Sequence, residues 1–200
     1  MKIKSIIVQS FMALALCSTI VSCRKETTDN FSPSSEISRS EKLYIPAAIE
    51  LPDNGPNGNI RVATFFAEGV QKYKAQQVPG SSPATYRWLL VAPQAVLYNT
   101  SNTQVGTHTA GPTWQLSATD SIYGQQFYPA KIATPDSNNI SWLLLKAKDG
   151  KAPTGIFANV SYIQRIATKG GKPPVTAPVN ENETVEVKYT AVYRFTKKNQ

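Results

Sequence analysis

The stretch Thr184–Phe195, TVEVKYTAVYRF, alternates between apolar and polar residues more regularly than any other part of the chain. Every second residue from Val185 to Phe195 is valine, tyrosine, alanine or phenylalanine, whereas Glu186, Lys188 and Arg194 occupy the positions between them. Successive side chains of a strand point to opposite faces of its sheet. The stretch therefore predicts a β-strand with one face on a hydrophobic core.

Six earlier segments share this composition of β-branched and aromatic residues. They are Asn59–Phe66, Gly69–Ala75, Thr85–Val91, Ala95–Tyr98, Ser141–Ala147 and Asn159–Ala167. Clusters of glycine, proline and asparagine separate them, and no window of a dozen residues has the spacing of an amphipathic helix. We therefore expect an all-β fold, a single antiparallel β-sandwich or barrel-like domain with long Gly/Pro-rich loops. Pro93 should mark an edge or a bend, because proline donates no ladder hydrogen bond.

The first residues have the layout of a bacterial secretory signal. Lys2 and Lys4 precede a short apolar run that ends at Val21, which predicts a lipoprotein signal peptide over residues 1–22. Ile20-Val21-Ser22 followed by Cys23 is similar to a lipobox, in which the cysteine is acylated after cleavage. The alternative is an ordinary cleaved signal with an incidental cysteine. Lipidation at Cys23 would give a durable membrane anchor.

A polar, serine-rich segment follows Cys23, and its composition predicts a disordered tether over residues 23–42. A single β domain is expected over residues 43–197. The chain has two cysteines, Cys17 and Cys23, and both lie in the leader or at its edge. The mature domain should therefore contain no disulfide.

The signal predicts a location in the bacterial cell envelope, with a lipid anchor in the outer membrane. The periplasmic face and the cell surface both remain open as locations. The formal net charge is +8, and 19 basic and 13 acidic residues remain without Lys2 and Lys4, a net charge of +6. The lysines are scattered, which is typical of a solvated basic surface rather than a nucleic-acid site. The expected partners are the membrane, through the lipid on Cys23, and a glycan, small ligand or envelope protein.

An ordered series of motifs identifies a family resemblance. The motifs are PAAIELPDNG, GVQKY, YRWLLVAPQAVLYN, VGTHTAGPTWQ, ISWLLLKA, VSYIQRIATKGGKPP and VEVKYTAVYRF. Together they resemble the family known as domain of unknown function 3455, over residues 46–195. The family has secreted or envelope-anchored members in bacteria and fungi. It has no established activity, so the resemblance implies no mechanism.

The stretch VGTHTAGPTWQ contains His108, the single histidine of the chain. A catalytic role would need a carboxylate such as Asp120 or Glu68 to orient the imidazole, and a serine or threonine nucleophile. No G-x-S-x-G elbow is present, and zinc normally needs three or four ligands. We therefore assign no catalytic residue, metal or cofactor. We expect a shaped loop, with the lining of a polar and aromatic ligand pocket as the alternative to a purely structural turn.

Aromatic and polar residues near this loop are the candidate ligand contacts. Trp114 follows a Gly-Pro turn, so its side chain is either a lid over the core or a binding platform. Trp88 and Trp142 lie in apolar strands, which favours core packing. The predicted ligand-binding set is His108, Trp114, Gln164 and Arg165. Gln164 and Arg165 are neighbours in one predicted strand, so their side chains should point to opposite faces. Arg165 alternatively binds a carboxylate such as Asp120 or Glu68.

Three functions remain open from the sequence. The first is a non-enzymatic, envelope-anchored binding module for a carbohydrate, small ligand or partner protein. The second is an extracytoplasmic hydrolase that uses His108 with a carboxylate. The third is a purely structural envelope lipoprotein. The first predicts an open aromatic groove around Trp114. The second predicts His108 within hydrogen-bond reach of a carboxylate and a hydroxyl. The third predicts that His108 is buried or bonded to the backbone, with no pocket nearby.

Overall fold

The computed structural model of the protein describes residues 32–199. The predicted signal peptide, Cys23 and the first part of the predicted tether lie outside the described residues. A helix, α1 (Pro33–Ser40), precedes eight strands. The strands are β1 (Asn59–Gln77), β2 (Tyr86–Tyr98), β3 (Gln104–Thr109), β4 (Thr113–Gln115), β5 (Ser121–Ala133), β6 (Trp142–Ala147), β7 (Val160–Gly170) and β8 (Thr184–Lys198). Short 3-10 turns lie at Ala47–Ile49, Gly55–Asn57 and Gly155–Phe157.

The eight strands form a closed antiparallel barrel, which confirms the predicted all-β class. Each strand pairs with the next along the chain, and β8 pairs with β1 to close the ring. The connections therefore alternate between the two ends. Those over residues 78–85, 110–112, 134–141 and 171–183 meet at what we call the upper end. Those over 99–103, 116–120 and 148–159 lie at the lower end, where the chain also enters β1.

Two strands are longer than the sequence predicts. The two segments predicted on either side of residues 67 and 68 merge into β1, and the two around Pro93 merge into β2. Pro93 pairs with Gln71 of β1, whereas the pairing of β2 with β3 begins only at Ala95. Pro93 thus lies at a local edge, as predicted, and the strand continues through it.

The barrel interior is filled by alternate residues of its strands. From β8, Tyr189, Ala191, Tyr193 and Phe195 belong to the inner core cluster, which confirms the face predicted from the period-two pattern. Val192, on the opposite face, belongs to a second cluster on the outer side of the barrel. Trp142 is buried in that outer cluster, as predicted.

Trp88 is not a core residue, contrary to the prediction. Its side chain is only half-buried, and its indole Nε1 donates to the carbonyl oxygen of Thr176 at 3.0 Å. Trp88 lies in the part of β2 that extends toward the upper end, where it holds the connection between β7 and β8. This part of β2 extends beyond the core, so the apolar composition of the segment did not ensure that Trp88 would be buried.

The prediction of a disordered tether is wrong for Pro33–Ser40, which form α1. Ser32 caps the helix and Pro33 occupies its first turn, an arrangement that favours helix initiation. Ile37 is 5% exposed and packs in the outer cluster, so one apolar residue in the polar segment anchors it to the barrel. No helix within residues 32–199 is long and apolar enough to cross a membrane.

Candidate functional site

His108 and Trp114 lie on a β-hairpin rather than in the loop that the sequence predicts. β3 and β4 pair so that His108 lies directly opposite Trp114, and the turn at residues 110–112 joins them. Gly111 in this turn has φ = +124°, a conformation that side-chain-bearing residues rarely adopt. The hydroxyl of Thr113 closes the turn by donating to the Ala110 carbonyl at 2.9 Å.

His108 is 2% exposed, and its ring is oriented by the backbone. Its Nδ1 lies 2.8 Å from the carbonyl oxygen of Thr113, so Nδ1 carries the hydrogen and donates it. Burial lowers the pKa of His108 to about 4; the hydrogen bond to Thr113 opposes this shift and the charge of Arg165 adds to it. The imidazole is therefore neutral at neutral pH, and its Nε2 has the free lone pair.

Trp114 is 1% exposed and forms part of the core. Its indole stacks on the His108 ring with centroids 4.4 Å apart and planes inclined by 10°. Tyr193 contacts it edge-on at 5.1 Å. The structure therefore places Trp114 as a lid on the upper layer of the core, not as an open platform.

Arg165 faces the interior from β7, where Leu143 and Tyr193 are its neighbours on the adjacent strands. Its Nε and Nη2 donate to the Ser141 carbonyl at 3.1 and 2.7 Å. No described carboxylate pairs with it, so the expected contact with Asp120 or Glu68 is absent. The guanidinium charge acts on other interior groups, since it lowers the pKa of His108 and opposes the burial that raises the pKa of Tyr193.

Gln164 is separated from the other three predicted ligand contacts. It is 3% exposed on the outer side of the barrel, where its Nε2 donates to the Ile49 carbonyl at 2.9 Å. Alternation along β7 sends Gln164 and Arg165 to opposite faces, as the sequence predicts. Gln164 therefore binds the 3-10 turn Ala47–Ile49 to the outer side of the barrel. Of the two neighbours, Arg165 lies in the interior with His108.

A cavity of about 370 Å³ opens at the upper end and reaches these interior groups. Its polar lining includes Gln71, His108, Trp114, Arg165 and Tyr193, and its apolar lining includes Leu90, Val91, Pro112 and Leu143. Among the described residues that line it, Arg165 alone has a formal charge. The volume is at the small end of the range of about 300–1,000 Å³ that small-molecule sites occupy.

Two polar side chains around this cavity are not satisfied by the protein. Gln71 Nε2 and Trp114 Nε1 are buried and form no hydrogen bond. Burying such a group without a partner costs about 1–3 kcal/mol. Gln71 and Tyr193 were not among the sequence candidates, although their positions on the inward faces of β1 and β8 follow from alternation. Nothing in the sequence marks them as residues that line the same cavity.

The arrangement that a hydrolase needs is not assembled around His108. Asp120 is at the lower end, where it accepts hydrogen bonds from the Ser117 hydroxyl at 2.5 Å and the Ile156 N–H at 2.8 Å. Glu68 pairs with Val96 in the β1–β2 ladder and is exposed on the outer surface. Within residues 32–199, no group of three or more His, Cys, Asp or Glu side chains is placed to hold a metal ion.

Comparison with known families gives one match. The family model described as "Protein of unknown function (DUF3455)" matches residues 56–197, which covers all of β1 to β7 and nearly all of β8. The chain belongs to this family, and the resemblance seen in its motifs is confirmed. No curated protein and no solved structure matches the chain.

Proposed function

We propose that the barrel is a binding module that takes a small ligand into the cavity at its upper end. The observation that carries this proposal is the cavity of about 370 Å³, lined by His108, Trp114 and Arg165 beneath an apolar rim. Apolar walls with a few polar groups at fixed positions are typical of small-molecule sites. The backbone and stacking contacts of His108 and Trp114 hold these two rings before any ligand arrives, which reduces the cost of binding.

A small ligand fits this geometry better than a polysaccharide. Sugar-binding surfaces present an open aromatic face, and Trp114 is 1% exposed with one face covered by His108. Binding also fits better than hydrolysis. The imidazole donates to a backbone carbonyl, and no described carboxylate orients it.

Equilibrium dialysis against the small-molecule extract of the producing cells tests the binding role. Mass spectrometry should find at least one compound enriched on the protein side at a stoichiometry near one. The matched control is Ala110→Trp, which puts a large side chain on the exposed turn at the mouth and leaves the core unchanged. Enrichment that is equal in the wild type and in folded Ala110→Trp, or absent from both, contradicts the proposal.

We also propose that the protein is anchored in the cell envelope by a lipid on Cys23, with the cavity facing away from the membrane. The Ser34 N–H donates to Asn102 Oδ1 at 2.8 Å, so α1 begins beside the β2–β3 connection at the lower end. The cavity opens at the other end. A segment that leads back from Ser32 to Cys23 would therefore attach on the side of the barrel opposite the mouth.

Metabolic labelling with a palmitate analogue tests the anchor. The wild type should incorporate the label and fractionate with outer membranes, whereas Cys23→Ser should do neither. A protein that is cleaved and released without label would contradict the lipid anchor while leaving the ligand cavity unaffected.

A further inference from the structure

We infer that the ligand of this cavity is a small monocarboxylate with an apolar body, and that Arg165 binds its carboxylate group. The inference rests on the proposed binding role and names the chemical class of the ligand. It starts from an imbalance of charge. Arg165 is the single charged side chain among the described residues of the lining, and no described carboxylate pairs with it.

An arginine inside a protein usually meets a carboxylate, because transferring an unpaired charge from water is unfavourable. Here the Ser141 carbonyl occupies Nε and Nη2, which fixes the plane of the guanidinium but supplies no negative charge. The positive charge instead acts on the neutral ring of His108 and the hydroxyls of Tyr73 and Tyr193. A bound anion is the missing counter-charge.

The other polar groups are consistent with a ligand that accepts hydrogen bonds. Gln71 Nε2 and Trp114 Nε1 are buried donors without an acceptor on the cavity wall, and the Tyr193 hydroxyl lies on the same wall beside Arg165. An ionised carboxylate only accepts hydrogen bonds, so it complements both donors and the guanidinium. His108, with Nδ1 committed to Thr113, offers Nε2 as an acceptor to any hydroxyl that the ligand carries.

One positive charge favours a singly charged anion over a phosphate dianion. Phosphate sites use several cations or a cluster of backbone N–H groups, and the described lining offers a single guanidinium. The rim contributes the second element of specificity. Leu90 and Val91 are 49% and 55% exposed at the mouth, where they can cover the apolar body of a ligand whose carboxylate points inward.

Isothermal titration calorimetry with four matched probes tests this inference. Benzoate and hexanoate carry the carboxylate, while benzamide and hexanamide keep the same bodies without the charge. We expect each carboxylate to bind the wild type at least tenfold more tightly than its amide. In Arg165→Met the preference should disappear, and in Arg165→Lys it should be partly retained. Thermal unfolding of each variant confirms that it is folded, and the comparison within the wild type needs no variant.

The outcomes separate the ligand class from the binding role. If amides and carboxylates bind equally and Ala110→Trp abolishes both, the barrel binds small ligands but the inference of a carboxylate is wrong. If carboxylates are preferred equally by the wild type and Arg165→Met, Arg165 is not the recognition residue and the inference also fails. If none of the four probes binds to the wild type saturably, the result contradicts the ligand class; equilibrium dialysis then decides whether the binding role fails as well.

Discussion

The two halves of the barrel interior are built from different chemistry. In the lower half, Phe65, Phe157 and Phe195 pack ring against ring with centroids 4.8–6.3 Å apart, and Phe157 and Phe195 are fully buried. In the upper half, a histidine, an arginine and a buried glutamine surround a cavity. The same barrel therefore has one end that is sealed by hydrocarbon and one end that retains unsatisfied polar groups.

The difference shows which half stabilises the fold. Apolar side chains gain free energy in proportion to the area that they remove from water, so the lower half accounts for much of the stability. The upper half contains buried polar groups without partners, which reduce stability in the absence of a ligand. Buried polar groups that reduce stability are expected at functional sites, which favours the upper half as the location of the site. Four substitutions or conditions test this division.

Truncating the lower core should have the largest effect. We expect Phe157→Ala to lower the free energy of unfolding by about 3–5 kcal/mol, because it removes a fully buried ring and leaves a cavity. Urea denaturation measures the change. Tyr128→Ala removes an aromatic ring that is fully exposed, and should change the free energy by less than about 0.5 kcal/mol. Equal effects of the two substitutions would contradict the packing described here.

Acid should destabilise the protein through the upper half. The folded-state pKa of His108 is about 4, below its ordinary value of 6.5, so the unfolded chain binds the proton more readily between these values. The stabilisation from a neutral, buried His108 is complete above pH 6.5. As the pH falls from 6.5 toward 4, the free energy of unfolding decreases by about 3 kcal/mol through this group. Denaturation at pH 7, 5.5 and 4.5 measures it. His108→Gln should have a flatter profile over this range; profiles of equal slope would mean that His108 is not buried as a neutral ring.

A single methyl group behind Trp114 should have an intermediate effect. A Cβ at Gly124 would lie 2.9 Å from Trp114 Cζ3 and 3.3 Å from Pro112 Cγ, closer than carbon atoms pack. Gly124→Ala should therefore displace the indole and destabilise the protein by about 1–3 kcal/mol. Near-ultraviolet circular dichroism and urea denaturation report the two effects. Gly150→Ala is the contrasting variant, because its Cβ meets nothing within 4 Å although its φ of +73° costs some strain. An unchanged aromatic spectrum in Gly124→Ala would contradict the close packing.

Removing the charge of the upper half should have the smallest effect on stability. In Arg165→Met, the lost hydrogen bonds to Ser141 are offset by relief of an unpaired, half-buried charge. We expect the free energy of unfolding to change by less than about 1 kcal/mol in urea denaturation without ligand. A loss as large as that of Phe157→Ala would assign Arg165 a structural role and weaken the distinction between the two halves.

The sequence predicted local features of this fold well. The alternation in Thr184–Phe195 identified the inward residues of β8, and the composition of the other segments identified the all-β class. Gln164 and Arg165 were correctly expected on opposite faces. These features depend on the geometry of a single strand, which a period-two pattern records directly.

The remaining features depend on contacts between distant parts of the chain. Arg165 and His108 come together only because the sheet closes, and alternation within a strand does not say which strands meet across a barrel. Gln164 was grouped with the wrong partners because Ile49, its acceptor, is 115 residues away in the chain. The helix α1 was missed because it has a single buried apolar residue, Ile37, in an otherwise polar segment.

The most direct test of the central claim, that the upper half binds a ligand and the lower half does not, is amide chemical-shift mapping by NMR with benzoate as the probe. We expect saturable shifts in the β3–β4 hairpin around His108 and Trp114 and in β7 around Arg165, with the amides near Phe65 and Phe157 unchanged. Shifts that are absent, do not saturate, or centre on the lower half would contradict the claim.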